Sequence, residues 1–393
     1  MKPPSESVLI IAAEASSALY AQRLLERWKA DGRSVDAFGV GSREMEALGF
    51  RRLGKSEDLA VVGLQEVIRH FPAIWRVGQN VLLEARRCRP KVALLLDYPG
   101  FNLRLARRLK ADLPAMPIVY YVSPQVWAWK SGRVRTIRKF VDRLLVLFPF
   151  EVGFFKEHGI EAEFVGHPLL DELDAKLYDE KQTQLKRQRF GFARDDLVVG
   201  LMPGSRRSEI DHHLGPQLEA ARLLIAGDAR VRPVLLVAPG LEREQLKPWL
   251  ARLDADGKGL PIPLAKDAPF DMIQMCDAVL CASGTATLMV GLMEKPMVIM
   301  YRMNPVTAFL ARRLVTKTPF FGMVNLILGK RAVEELFQEE ASPLRMASEI
   351  QRVLFDVDRR REIVSDLRSL KDRLGSRGAT DRVASVLAGY LDR

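Results

Sequence analysis

The chain has 393 residues, 48% hydrophobic and 28% charged, with a formal net charge of +11. That length suits two or three domains of ~150 residues each, and the apolar content excludes gross disorder. A basic surface suits nucleic acid, anionic lipid or phosphorylated substrates. The aromatics are not interleaved with Lys and Arg in a nucleic-acid motif, which ranks lipid and phosphate first, with an evenly solvated surface as the plain alternative.

Met1–Ser7 runs straight into an apolar stretch and does not read as a signal peptide. Val8–Ala13 is a buried strand, Glu14–Ser17 a turn and Ala18–Ala30 a helix. Val35–Val40 is the next strand, ended by Gly41-Ser42. Leu59–Leu83 carries Val67, Ile68, Phe71 and Trp75 among basic residues. It reads either as a segment lying in a bilayer interface or as a core helix followed by a turn at Pro72. No run of ~18 apolar residues exists, so no transmembrane span is expected. Strands follow at Val92–Leu96, Ile118–Val122, Leu144–Phe148 and Ala162–Val165. Strands alternating with helices predict a parallel, doubly wound sheet.

Asp97 follows the apolar run Val92–Leu96. A carboxylate there faces the crevice of an open α/β sheet, where a general base would sit; the alternative is an aspartate capping the turn. Tyr120–Lys130 reads YYVSPQVWAWK, with Trp127 and Trp129 suited either to walling a sugar or acyl chain or to packing. His167, in Val165-Gly166-His167-Pro168, is a ligand candidate or a structural histidine.

Asp171–Arg194 is charged and lacks strand character, a candidate boundary of helix and linker. A second series of strands runs Leu197–Met202, Val234–Val237, Ile262–Leu264, Ala278–Ala282 and Met297–Tyr301. After Glu334 the chain reads as mostly helical to its end. Pro203-Gly204-Ser205-Arg206 ends the first of these strands. Ser205 can cap the next helix, and Arg206 either meets an anion in the crevice or sits exposed on a first turn. Glu209 lies one residue beyond the capping-box spacing from Ser205. No Walker loop is present, and no GxGxxG follows the first strand. Ser283-Gly284-Thr285-Ala286-Thr287 is a small, hydroxyl-rich turn between strand and helix. It would hold a phosphate on backbone N–H groups and the Ser283, Thr285 and Thr287 hydroxyls, or it is an ordinary capped turn. Cys88, Cys276 and Cys281 are too sparse for a disulfide framework and point to a reducing compartment.

Taken together, LLLDYPGFN (94–102), YYVSPQVWAWK (120–130), FPFE (148–151), FVGHP (164–168), PGSRRSEI (203–210), ASGTAT (282–287), PMVIMYRMNP (296–305) and VNLILGKRAVEELFQEE (324–340) resemble the lipid-A-disaccharide synthases. The resemblance runs from Val8 to Pro343. It implies two Rossmann-like domains facing a central cleft, of GT-B type, with C-terminal helices. The implied layout is an acceptor and membrane-facing domain at 1–170, a UDP-sugar donor domain at 171–345, and helices at 346–393 packing back toward the first domain. The implied reaction joins UDP-2,3-diacylglucosamine to 2,3-diacylglucosamine 1-phosphate, with inversion, giving the β-1',6-linked disaccharide and UDP.

By the same resemblance Asp97 is the base and Glu14 an acidic residue near the reacting sugar. The donor side comprises Gly204, Ser205, Arg206, Glu209, Ser283–Thr287, Arg302 and Asn325. Ser16, Asn102, Ser123, Trp127, Val67, Ile68, Phe71 and Trp75 fall on the acceptor or acyl side. No metal, cofactor or nucleic acid is implied, the nucleotide-sugar being a substrate. The resemblance places the protein in the cytoplasm, peripherally attached to the inner membrane, and is compatible with a homodimer. Two departures bear on activity. The family's Ala-Gly-Glu-x-Ser-Gly-Asp is here Ala12-Ala13-Glu14-Ala15-Ser16-Ser17-Ala18, and the family's Glu after ASGTATL is Met289. They keep two alternatives open: a relative with altered sugar, nucleotide or acyl specificity, and a binding protein without catalysis.

Overall fold

The structure, a computed structural model, describes residues 6–56, 64–124, 126–127, 132–238, 241, 243–254, 262–305, 307–308 and 319–392. The chain forms two compact units: residues up to Asp171 together with Leu374 onward, and Glu172–Arg373.

The first unit is built on seven parallel strands: β1 (Glu6–Ala12), β2 (Val35–Gly41), β3 (Arg51–Lys55), β4 (Val92–Leu96), β5 (Ile118–Tyr121), β6 (Arg143–Val146) and β7 (Ala162–Phe164). Their order is β3-β2-β1-β4-β5-β6-β7. Helices cover both faces, so the central strands are apolar end to end: Val8–Ala12 and Val92–Leu96 are wholly shielded from solvent. The second unit repeats the plan with β8 (Leu197–Met202), β9 (Val231–Leu236), β10 (Leu264–Ala265), β11 (Ala278–Ala282), β12 (Met297–Tyr301) and β13 (Glu334–Phe337). Their order is β10-β9-β8-β11-β12-β13, again all parallel.

β4, β8, β11 and β12 coincide residue for residue with the sequence reading, because a buried parallel strand is a bounded apolar run. Three expectations are corrected. The helix Leu64–Cys88 runs through Pro72 instead of turning there. Proline removes one helical hydrogen bond, and Val81, Leu82 and Ala85 further on anchor the helix in the core. β13 is a strand where helix was expected, and β3 was not anticipated; both are edge strands of charged residues without a long apolar run. The chain also returns later than expected. Helix Pro343–Phe355 belongs to the second unit, as does nearly all of Val357–Leu374, and Ala379–Leu391 rejoins the first. Asp171 accepts the Gly378 N–H at 2.6 Å, Arg382 Nε donates to the Val165 carbonyl at 2.7 Å, and Lys91 Nζ to the Leu391 carbonyl at 2.6 Å. Among the described residues no helix is long and apolar enough to cross a membrane.

Gly39 in β2 has φ +138°, and a Cβ there would lie 2.1 Å from the Ile10 carbonyl oxygen of β1. Gly39→Ala should therefore destabilise by about 3 kcal/mol or more in urea denaturation, because a central backbone must move. Gly49→Ala, at φ +94° with open space around it, should cost only about 1 kcal/mol.

Candidate active site

Strand order reverses between β1 and β4 and between β8 and β11. Chains leave such neighbouring strands in opposite directions, so a crevice opens at their carboxyl ends. In the first unit Glu14 follows β1 and Asp97 follows β4, on strands paired Ala12 to Leu96. Both residues are half-buried. Asp97 and Tyr98 are consecutive left-handed residues, with φ of 45° and 43°. A side chain in that region costs ~1–2 kcal/mol, so the surroundings must hold it. The Asp97 N–H donates to the Tyr121 carbonyl at 3.1 Å. The Asp97 carbonyl accepts from Asn102 Nδ2 at 2.7 Å and from the Tyr120 hydroxyl at 2.5 Å. Asn102 Nδ2 also donates to the Leu96 carbonyl at 2.9 Å. Asn102 is fully buried and its amide nitrogen donates to both carbonyls, so it supports Asp97. Burial, then the Asp97 charge, pushes the Tyr120 phenol well above its usual pKa, so it remains a donor.

Glu14 has its own support. The Ser17 hydroxyl accepts the Glu14 N–H at 3.0 Å and donates to the Glu14 carbonyl at 2.8 Å. Ser16 lies half-buried on the first turn of helix Ala15–Ala30.

Ser123 and Trp127 converge on a residue that the sequence reading passed over, Glu151. Its Oε1 accepts from the Ser123 hydroxyl at 2.5 Å and from Trp127 Nε1 at 3.3 Å, and its Oε2 from the Phe148 N–H at 3.1 Å. Desolvation outweighs these bonds and pushes the carboxyl up to about 7. The available signal was Pro149 followed two residues later by Glu151, the first and third positions of a capped helix. Trp127 packs edge-on to the exposed Phe150 ring at 5.2 Å, leaving an aromatic surface at the end of the sheet. His167 is structural: Nδ1 accepts the Leu169 N–H at 3.2 Å, and burial holds the imidazole down to about 3. Trp129 lies outside the described residues, as do the side chains of Val67, Ile68 and Phe71; Trp75 is 54% exposed.

In the second unit Gly204-Ser205-Arg206 follows β8 and Ser283–Thr287 follows β11, on strands paired Met202 to Cys281. The helix after β8 begins at Arg207 with Arg206, not Ser205, as its N-cap. Glu209 Oε2 accepts the N–H groups of Ser205 and Arg206 at 3.0 and 3.2 Å, and Arg206 Nη1 reaches Glu209 Oε1 at 3.3 Å. Glu209 thus holds the loop that carries Ser205 and Arg206. Gly204, at φ +117°, makes room for that carboxylate: a Cβ would sit 2.4 Å from Oε2. Of the three hydroxyls in the turn after β11, Ser283 donates to the Phe321 carbonyl at 3.0 Å and Thr287 to the Gly284 carbonyl at 2.8 Å. Gly284 and Thr285 are exposed, Ala286 is half-buried, and no side chain caps helix Thr285–Leu292.

Asn325 is fully buried and engaged at four hydrogen bonds, donating to the Val333 carbonyl and Glu335 and accepting from the Ala332 and Val333 N–H groups. Glu335 in turn holds the N–H groups of Phe321 and Gly322. Asn325 therefore braces the segment on which Ser283 leans. Arg302, half-buried beyond β12, has a guanidinium with no hydrogen bond or ion pair among the described residues. No group of three or more His, Cys, Asp or Glu among the described residues is arranged for a metal. The chain has two Asp-x-Asp spacings, Asp254–Asp256 and Asp356–Asp358. Asp356 caps a helix through the Arg359 N–H, Asp358 pairs with Arg361, and Asp256 lies outside the described residues.

The family model for lipid-A-disaccharide synthetase matches residues 8–384. The lipid-A-disaccharide synthase of Trichlorobacter lovleyi is 39% identical over 390 residues, 98% of each chain. The chain belongs to the lipid-A-disaccharide synthase family. It is a glycosyltransferase of lipid A biosynthesis, acting on a nucleotide-sugar and a phosphorylated sugar. Its fold is of the GT-B class. Among solved structures, Neisseria meningitidis UDP-GlcNAc 2-epimerase bound to UDP-GlcNAc has a TM-score of 0.62 at 9% identity, covering 98% of this chain and 99% of that one. Anabaena HepE in complex with UDP and glucose has a TM-score of 0.56 at 12% identity, with coverage of 98% and 99%.

Against the family pattern, Ala13 and Ser17 stand where glycines are usual. Neither has a positive φ, so neither replacement strains the backbone. Ser17 adds the two bonds to Glu14 that a glycine lacks.

Glu151 gives a pH signature. A carboxyl raised from 4.5 to about 7 contributes stability that is complete below 4.5 and is lost as pH rises through 7. Between pH 5 and 8 the unaltered chain should lose more denaturation free energy than Glu151→Gln, by roughly 3 kcal/mol at most. Equal pH slopes for the two proteins would show that Glu151 is already ionised at pH 5.

Proposed function

We propose that the chain joins UDP-2,3-diacylglucosamine to the 6-hydroxyl of 2,3-diacylglucosamine 1-phosphate, with Asp97 as the base. The Asp97 carboxylate takes the hydroxyl proton as the oxygen bonds to the anomeric carbon of the donor. The bond from that carbon to the diphosphate oxygen breaks, and its electron pair leaves with UDP. The anomeric centre inverts. The observation that carries this reading is the left-handed pair Asp97–Tyr98, held at the end of a central strand by Asn102 and Tyr120. Such strain, over-determined by hydrogen bonds from buried side chains, suits a group that must be fixed before its substrate arrives. Glu14, on the neighbouring strand end, is the acid proposed beside the reacting sugar.

The leaving diphosphate needs positive charge and N–H donors. The uncapped N-terminus at Thr285 and Ala286, the Arg302 guanidinium and Arg206 are the proposed donors. Trp127, with Phe150, is proposed to border the acceptor. Exposed Trp75, on a helix that also carries Arg76, Arg86 and Arg87, supports attachment to the anionic inner face of the cytoplasmic membrane.

The test is disaccharide formation and UDP release by the purified full chain. Asp97→Ala should lower kcat by about 10²–10⁴-fold while UDP affinity stays within twofold. Near-normal turnover would remove Asp97 from the base role. Met289 replaces a carboxylate that the family places toward the ribose. Met289→Glu should therefore tighten UDP in calorimetry, by about tenfold for one or two added charged hydrogen bonds. Unchanged or weaker binding would mean that the ribose is held by other residues.

A further inference from the structure

Helix Arg207–Gly227 buries two polar side chains one turn apart, His213 and Gln217, both fully shielded from solvent. His213 Nδ1 lies 2.7 Å from the Pro203 carbonyl oxygen. That oxygen can only accept, so Nδ1 carries the ring proton. Nε2 then offers a lone pair, and the Arg302 N–H donates to it at 3.0 Å. The Arg302 carbonyl also lies 2.9 Å from Nε2. The opposite tautomer would satisfy only that carbonyl and would leave the Pro203 oxygen facing a lone pair and the Arg302 N–H facing another N–H. Burial lowers the imidazole pKa, which keeps the neutral form and its acceptor. One turn on, Gln217 Nε2 lies 3.3 Å from the Met202 carbonyl of β8 and 3.4 Å from the Leu280 carbonyl of β11.

These contacts fall on the chain just before Gly204-Ser205-Arg206 and on Arg302 itself. One imidazole therefore spans the loop after β8 and the residue after β12. We infer that His213 is a positioning residue for a nucleoside diphosphate, fixing Arg302 against the Gly204–Arg206 loop so that both address the same diphosphate. This rests on the donor-side reading given above for Arg302 and Arg206. It does not involve Asp97, and His213 itself touches no substrate. The Arg302 N–H needs an acceptor inside the protein. If its backbone shifts, the guanidinium shifts with it, at the far end of a long side chain that has no other partner among the described residues.

The experiment uses the full chain, UDP titration calorimetry and steady-state kinetics. Asparagine is γ-branched and can keep the donor to Pro203 but cannot reach Arg302. Glutamine reaches the Arg302 N–H but gives up Pro203. His213→Asn and His213→Gln should each raise the UDP Kd about tenfold, the equivalent of one lost hydrogen bond. KM for the phosphorylated-sugar acceptor should not change, and melting temperatures should stay within a few degrees. Arg302→Ala should weaken UDP at least as much, and adding His213→Asn to it should cost little more, because the two act in series. Unchanged UDP affinity in folded His213 variants, with Arg302→Ala impaired, would overturn the inference alone. Full additivity in the double variant would also overturn it. Unchanged UDP affinity in Arg302→Ala would sink the donor-side reading and this inference with it. Should neither His213 variant fold, amide exchange on the unaltered chain decides. A protected Arg302 N–H, further protected by UDP, supports the clamp, and exchange at loop rates overturns it.

Discussion

Each unit depends on a reversal of strand order: β1 against β4 in the first, β8 against β11 in the second. Right-handed crossovers force the chain to leave those neighbouring strands toward opposite faces. No loop then covers the gap at their carboxyl ends. The reversal puts Glu14 and Asp97 at one gap, and Gly204–Arg206 and Ser283–Thr287 at the other. The residues that follow these four strands are the core of the proposed chemistry, and residues after β5, β6 and β12 add to it.

A gap alone does not make a site, because loops leaving a sheet are mobile unless tied down. Both units meet this with buried or half-buried polar side chains that hydrogen-bond to the loops. Asn102 and Tyr120 hold Asp97. Ser17 holds Glu14. Glu151 gathers Ser123 and Trp127. Glu209 fixes Ser205 and Arg206, while Asn325 and Glu335 fix the segment beneath Ser283. A buried polar group without a partner costs about 1–3 kcal/mol, so each such bond resists loosening more strongly than its net contribution to stability implies. The strained backbone at Asp97 is tolerable because three bonds to buried neighbours meet on that one residue.

The departures from the family pattern fall into the same frame. Ser17 replaces a small residue with a hydroxyl that bonds twice to the residue it neighbours. Ala13 fits a fully buried position at negative φ. Neither change disturbs the crevice of the first unit, in keeping with a chain that retains lipid-A-disaccharide synthase activity. Met289 sits half-buried on the helix that starts at Thr285, where no backbone requirement selects the side chain.

The central strands were legible in the sequence because a strand buried on both faces must be apolar throughout, and its ends show as the first polar or small residues. That alone located Asp97, Glu14, Gly204 and Ser283 at strand ends. The edge strands β3 and β13 were not legible, since one solvated side lets Arg51, Arg52, Glu334 and Glu335 enter the ladder. Nor did the sequence tell which polar residues near a strand end meet a ligand and which brace the ones that do. Asn102, Asn325 and Glu209 look like ligand residues on the chain, but packing turns them inward onto backbone. Glu151, Tyr120 and His213 carried little mark of their importance, His213 least of all beside an identical His212. A strand end is fixed by local apolar patterning. The direction of a polar side chain there is fixed by hydrogen-bond partners tens of residues away, and only the folded chain brings those together.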